Sequence, residues 1–373
     1  MSKNITEIPY TEIVERVVSL GRVNANAIEK VRGIVQDIYT RDIPTKHYWT
    51  FLFASSAITT VGQYNTGTVS ATTGSSILTF SSDVVLIDSM NGRKVKLTGN
   101  QVTYEIDSIG TSVVRITPTF LGDSNITSGA YTIFQPIYAL AGDFDRFPKD
   151  GGVYKWSGQS KERLPEEPYQ EYVENYASNP SVPDKIRLAG IDTAGNQLIE
   201  FRPAPKDARV YSYDYYRRLS PMQETSAGTI NVINAKATTV TGYTSTRFVD
   251  AGTDSNTLNF FRVDVFGKGQ DSAWYPTAIT HDSSLSLRVA FANSAVTTSA
   301  NYVVSNAPNM PTMLHPGILY GSLAHILADQ NDDMAAVYLG RYAQVLSDAK
   351  RIYVSRTYSQ DIHGVQEEYQ YRR

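Results

Sequence analysis

Five histidines, His47, His281, His315, His325 and His363, are the first residues to weigh for chemistry. None stands in the H-E-x-x-H spacing that sets two imidazoles on one helix face, and the chain has no cysteine to supply a thiolate. His315 and His325 are ten residues apart. On one helix that is about 15 Å, at about 1.5 Å of rise per residue, too far to share a metal. Three pairs of carboxylates, Asp143/Asp145, Glu166/Glu167 and Asp332/Asp333, could in principle serve as a glycosidase acid and base. The prolines of RLPEEP place Glu166 and Glu167 in an exposed loop, Asp332 and Asp333 read as caps at a helix break, and Asp143 begins a turn. No phosphate-binding G-x-x-x-x-G-K-[ST] occurs, no strand-flanked G-x-G-x-x-G, and no G-x-S-x-G elbow; FGKGQDS (266–272) reads as a hairpin. The expectation is a protein that is not an enzyme, without catalytic residues, metal or cofactor. Lys350, Arg351, Arg356, Arg372 and Arg373 make the only basic bias, offset by Asp348, Asp361, Glu367 and Glu368, which favours a solvated or salt-bridged face.

Composition narrows the field in the same direction. The 373 residues suggest two to three domains, at about 150 residues each. Thirty-four basic against 37 acidic residues leave a net charge of -3, so no global field drives nonspecific nucleic-acid binding. Without cysteine there is no disulfide framework. The first residues lack an apolar signal core and no run reaches membrane-spanning length, so a soluble, unprocessed chain is expected. The 25 tyrosines suit subunit interfaces, or simply a tyrosine-rich sheet protein.

Helical periodicity frames the chain. Ile13, Val17 and Leu20, then Ile28, Val31, Val35 and Ile38, predict two N-terminal helices, with Thr11 as a first cap, a break at Gly21 and Asn24, and an end at Pro44. Ile318, Leu319, Leu323, Ile326 and Leu327 form one C-terminal stripe. Beyond a break at 330–334, Tyr338, Tyr342, Val345, Leu346 and Ala349 lie on a second, and these stripes should pack on the N-terminal pair. Between the ends lie two Ser/Thr-rich stretches of short β-branched runs, 65–135 and 225–307. At a constant offset of 171, Tyr104 falls on Tyr275, Val114 on Leu285, Ile116 on Leu287, Phe120 on Phe291 and Tyr131 on Tyr302. One β module present twice is the reading. Each is expected as an insertion into a composite core of residues 1–64, 136–224 and 308–373. The fold class expected is therefore α+β: a discontinuous helical-bundle core with a small mixed β part, carrying two inserted all-β modules.

The core segments carry a recognisable series: Y-x-L-x-x-D-F-x-R in 138–147, a strand ending P-x-P and then Y-D-Y-Y-R across 199–218, and P-x-x-L-x-G-x-L-A-x-x-L followed by D-D-x-A-x-x-Y-x-x-R-Y from Pro316 to Ala349. In that order they resemble the head-to-tail adaptor, or connector, proteins of tailed bacteriophages, including the tail-tubular type, over a little more than half of the chain. The resemblance implies a ring of twelve copies in the virion neck, assembled in the host cytoplasm. It would sit between the portal protein and a downstream tail or nozzle protein and pass genomic DNA without reading its sequence. No membrane is involved. The C-terminal residues Tyr358, Ile362, Val365, Tyr369, Tyr371, Arg372 and Arg373 are expected to lie extended on a partner, the portal. The alternative is a carbohydrate-binding or degrading fibre protein with Trp274 and Tyr275, or Tyr104, as sugar platforms.

Overall fold

The computed structural model describes residues 7–149, 151–157, 160–167, 179–226, 229–230, 238–241, 259–264, 274–280, 284–288 and 301–354. The chain folds as two compact units, one of residues 1–52 with 219–373 and one of residues 53–218. Strands dominate the described residues, in sheets of five, three, six and seven strands. This overturns the expected helical-bundle core with a small mixed β part. The segments read as mixed are strands: Gln197–Arg202 buries Ile199 and Phe201, and Val210–Arg217 buries Tyr211, Tyr213 and Tyr215. A strand with alternate residues buried leaves its backbone groups to be satisfied by neighbouring strands, so sheets carry most of the core.

In the 53–218 unit, Phe53–Thr59 pairs antiparallel along Val210–Arg217, which continues through Val153–Ser157 to Ser160–Leu164. A second sheet joins Lys185–Ile191, Gln197–Arg202 and Ile137–Ala139. Their common core is aromatic, with Tyr138, Phe144, Phe201, Tyr211, Tyr213 and Tyr215. The buried hydroxyls have partners: Val61 N–H donates to Tyr138 Oη at 3.0 Å, Ala141 N–H to Tyr213 Oη at 2.8 Å, and Tyr215 Oη donates to Asp143 at 2.7 Å. These tyrosines serve the interior of one unit, where an apolar ring and a satisfied hydroxyl are compatible with burial.

The third sheet of that unit has its own core and runs in the order 126–129, 69–71, 77–80, 113–117, 103–109, 94–97, 131–134. In the other unit the six-stranded sheet runs 239–241, 284–287, 275–280, 259–264, 301–306, 224–225. Five consecutive strands correspond, from 77–80 with 239–241 to 131–134 with 301–306. Buried Tyr104, Ile106, Val114, Ile116, Tyr131 and Ile133 match Tyr275, Thr277, Leu285, Leu287, Tyr302 and Val304, each 171 residues later. Even the bulge repeats: the register slips between Ile106 and Ser108 and again between Thr277 and Ile279. A bulge kept at one place in two sheets is a built feature of the fold. Strand pairing also extends the match beyond the constant offset. Leu78 pairs with Val114 as Val240 pairs with Leu285, an offset of 162; Val95 pairs with Ile133 as Phe261 pairs with Val304, an offset of 166. The longer connections of the second copy account for the difference.

The described α-helices belong to the unit of residues 1–52 and 219–373. Tyr10–Leu20 starts after Pro9, one residue before the expected cap; Thr11 instead donates to Glu224 at 2.5 Å. The next helix does not end at Pro44. It runs as Ile28–Asp37, a π turn at Ile38–Asp42 and a last turn Ile43–Lys46; the π turn, whose wider register carries the Ile43 N–H to the Ile38 carbonyl, stands just ahead of Pro44 and accommodates the N–H it lacks. His315–Asp329 packs against the Tyr10–Leu20 and Ile28–Asp37 helices and against Met334–Tyr353. It is therefore buried on most sides, not along one stripe. Gly321 permits that crowding, since a Cβ there would stand 3.1 Å from Ile38 Cγ2.

Candidate assembly surface

The residues considered for chemistry are scattered or already engaged. Among the described residues no group of three His, Asp or Glu is placed to hold a metal ion. His47 packs edge-on to Trp49, with ring centroids 5.1 Å apart; burial first, and then Lys350 and Lys46, hold its pKa below the usual imidazole value. His315 is buried, and burial pushes its pKa down to about 4 against the opposing pull of the Met310 and Pro308 carbonyls. Its Nδ1 accepts the Ile8 N–H at 3.3 Å and Nε2 lies 3.1 Å from the Met310 carbonyl. A neutral ring with its proton on Nε2 satisfies both contacts and ties the N-terminal segment to the turn before the helix. His325 is exposed, and His281 and His363 lie outside the described residues.

The carboxylates divide in the same way. Asp143 accepts the Tyr215 hydroxyl, Asp145 pairs with Arg146 at 2.7 Å, and Asp332 accepts the Met334 N–H at 2.8 Å. Glu166 is exposed, but Glu167 is not: it is 6% exposed, with Arg202 Nε 3.3 Å away. That corrects the reading of both as loop residues. The prolines mark a chain turn, and its backbone then bonds Ile186 in the neighbouring strand, drawing Glu167 inside.

What remains is a surface, built on the helix Met334–Tyr353. Ile318, Leu319, Leu323, Ile326 and Leu327 are buried, as are Tyr342 and Leu346 of Met334–Tyr353. Tyr342 donates to Asp42 at 2.5 Å; burial, then that carboxylate, raise its pKa. One face of Met334–Tyr353 is thereby covered. The rest exposes Met334 (45%), Val337 (45%), Leu339 (58%) and Ile352 (60%). At about 100° per residue, Met334, Val337 and Ile352 lie toward one side of the helix and Leu339 toward another, so the exposed apolar side chains are spread along and around it.

The far end of this helix is clamped. Trp49 is wholly buried, donates through Nε1 to the Ile43 carbonyl at 2.7 Å, and its backbone bridges Val354 antiparallel. Thr50 Oγ1 donates to the Tyr353 carbonyl at 2.9 Å, and Phe51 meets the Tyr353 ring edge-on at 6.2 Å. Val354 is extended (φ -107°, ψ 128°), so the chain leaves the helix from a fixed point. The seven C-terminal contact residues expected from the sequence, Tyr358 to Arg373, lie outside the described residues.

The alternative sugar platforms are not surface rings. Tyr104 is wholly buried, Tyr275 is 5% exposed and Trp274 6%. Trp274 donates to Glu12 at 2.6 Å and lies 4.5 Å beneath the Arg262 guanidinium, which itself grips Glu15 at 2.5 and 2.8 Å. This seam holds the six-stranded sheet against the first helix. Sequence reading missed it, because nothing local links Glu12 to a tryptophan 262 residues away. No protein-family model matches the chain, and no curated protein matches it.

Proposed function

We propose that the chain is a non-catalytic structural subunit: a head-to-tail adaptor of a tailed bacteriophage. Copies form a ring in the virion neck between the portal and the tail, around a passage for the genome. The observation that carries this reading is the exposure of four large apolar side chains, Met334, Val337, Leu339 and Ile352, on Met334–Tyr353, a helix that buries only Tyr342, Leu346 and Ala349. A ring subunit needs such a surface, because each copy must bury apolar area against the next without ending its own fold there. The motif order of the core segments supplies the class of assembly, and the net charge of -3 suits a conduit that DNA crosses without sticking. The fibre alternative loses its support with the burial of Trp274, Tyr275 and Tyr104.

Native mass spectrometry and cryo-electron microscopy of the purified chain, alone and with a portal, test the proposal. A twelvefold ring or a portal-bound species is the expected result, whereas a trimer or a stable monomer indifferent to portal would refute it. Leu339→Asp and Ile352→Asp should abolish ring formation while leaving the thermal unfolding of the subunit nearly unchanged.

A further inference from the structure

Sheet edges offer unpaired backbone groups to other chains, and folded proteins protect them with charges, prolines, bulges or brevity. The described edges of this protein are nearly all so protected. Ser160–Leu164 carries Lys161, Glu162 and Arg163; Lys185–Ile191 carries two cations and a bulge. Ile137–Ala139, Thr239–Thr241 and Glu224–Thr225 are three, three and two residues long. Phe53–Thr59 differs: seven residues, FASSAIT, with no charge, no proline and no register shift. Its pairing with Val210–Arg217 occupies one side only. Thr60 N–H donates to the Arg209 carbonyl at 2.8 Å, which sets the phase of the ladder. Ala54, Ser56 and Ile58 bond inward, and Phe53, Ser55, Ala57 and Thr59 direct their N–H and C=O groups to the open side.

That open side borders a cleft of about 980 Å³, in which Ala57 and Thr59 face the short strand Ile137–Ala139 and the exposed Ile191. Its two charged lining residues are both acidic, Glu105 and Asp192, and Glu105 is shared with Lys94. Asp192 holds its charge, because the N–H groups of Asn196 and Ala194 bond its carboxylate. An extended segment that is apolar on alternate positions and basic at one end suits such an edge and cleft. Beyond Val354 the chain carries such a segment: residues 367–373 read EEYQYRR, with Tyr369 and Tyr371 two apart and Arg372 and Arg373 after them. Nineteen residues follow Val354. Extended, they reach about 60 Å, enough to meet a neighbouring subunit.

We propose that residues 367–373 of a second copy add as a strand to the Phe53–Thr59 edge, with the arginines near the acidic cleft. This goes beyond the adaptor reading and does not depend on it. It requires only that copies stand side by side, and it gives the C-terminal residues a receptor on a sister chain in place of the portal.

The absence of cysteine makes the test clean. Full-length Ala57→Cys and Tyr369→Cys proteins are mixed and treated with a short bis-maleimide, which can only join two copies. Cross-linked dimer should exceed, by about tenfold, that from Tyr369→Cys mixed with Thr73→Cys, since adjacency raises the local concentration of the pair. Adding Thr59→Pro to the Ala57→Cys protein deletes one outward N–H and leaves the inner ladder intact, and should remove most of that excess. Equal yields from Ala57→Cys and Thr73→Cys overturn the proposal. So does a signal that survives Thr59→Pro, or a double Ala57→Cys/Tyr369→Cys chain that links only to itself when diluted into wild-type protein.

Discussion

The two β modules have the same inside and opposite outsides. Inward, Tyr104, Ile106, Val114 and Ile116 of one are Tyr275, Thr277, Leu285 and Leu287 of the other, all buried. Outward, the register sets Lys94, Lys96, Thr103 and Thr132 of the seven-stranded sheet against Phe260, Arg262, Trp274 and Val303 of the six-stranded one. The first set is polar and partly exposed, and Lys94 pairs with Glu105 at 2.5 Å. In the second, Phe260 and Trp274 pack with Ala307 and Val303, while Glu12 and Glu15 of the first helix receive Trp274 and Arg262. The fold dictates one face, because a sheet must bury one row of alternating residues to exist. The other face follows whatever the module docks against.

The sharpest way to break this comparison is at the docking face. Trp274→Ala should cost about 3–5 kcal/mol in denaturant unfolding of its unit. The equivalent Thr103→Ala should stay within about 0.5 kcal/mol, as at an ordinary surface site. Comparable losses at both positions would erase the distinction. The inward faces should behave alike: Ile116→Ala and Leu287→Ala are each expected to cost about 2–5 kcal/mol by loss of buried contacts and the cavity left behind. A loss at only one of them would show that the second sheet is not held by its own core.

Acid should separate the two units. No histidine falls within residues 53–218, whereas the other unit buries His315 with its pKa at about 4. The unfolded chain takes up the proton first, near the usual value of about 6.5, so stability is full above that pH. It falls as the pH drops from 6.5 toward 4, by about 3 kcal/mol in all. Hydrogen exchange at pH 7 and pH 4.5 should show the loss in residues 8–52 and 219–354 and not in 53–218. Equal loss in both units would dismiss His315 as the cause. The smallest expected effect is at the rim of the seam. Glu15 is 49% exposed opposite Arg262, so Glu15→Gln should lower stability by no more than about 1 kcal/mol, and less still in high salt.

Much of this molecule follows from its residues alone, through local periodicity. The 3.6-residue spacing of apolar positions marks the terminal helices, and the two-residue spacing of Tyr211, Tyr213 and Tyr215 marks a strand with one buried face. The constant offset of 171 joins residues that are buried in equivalent strands. Tertiary structure alone decided what each apolar face is buried against. A stripe such as Ile318 to Leu327 says that the helix is covered, not that helices lie on several sides of it; so the expected bundle became a minority beside four sheets. The cap placed at Thr11 went to Glu224, and Pro44 passed inside a helix, because distant partners and a π turn outweighed the local signals. The Trp274–Glu12 seam and the open edge at Phe53–Thr59 were equally hidden. Burial within a strand is written in its own residues, but pairing and docking depend on chain segments hundreds of positions away, which no local period encodes.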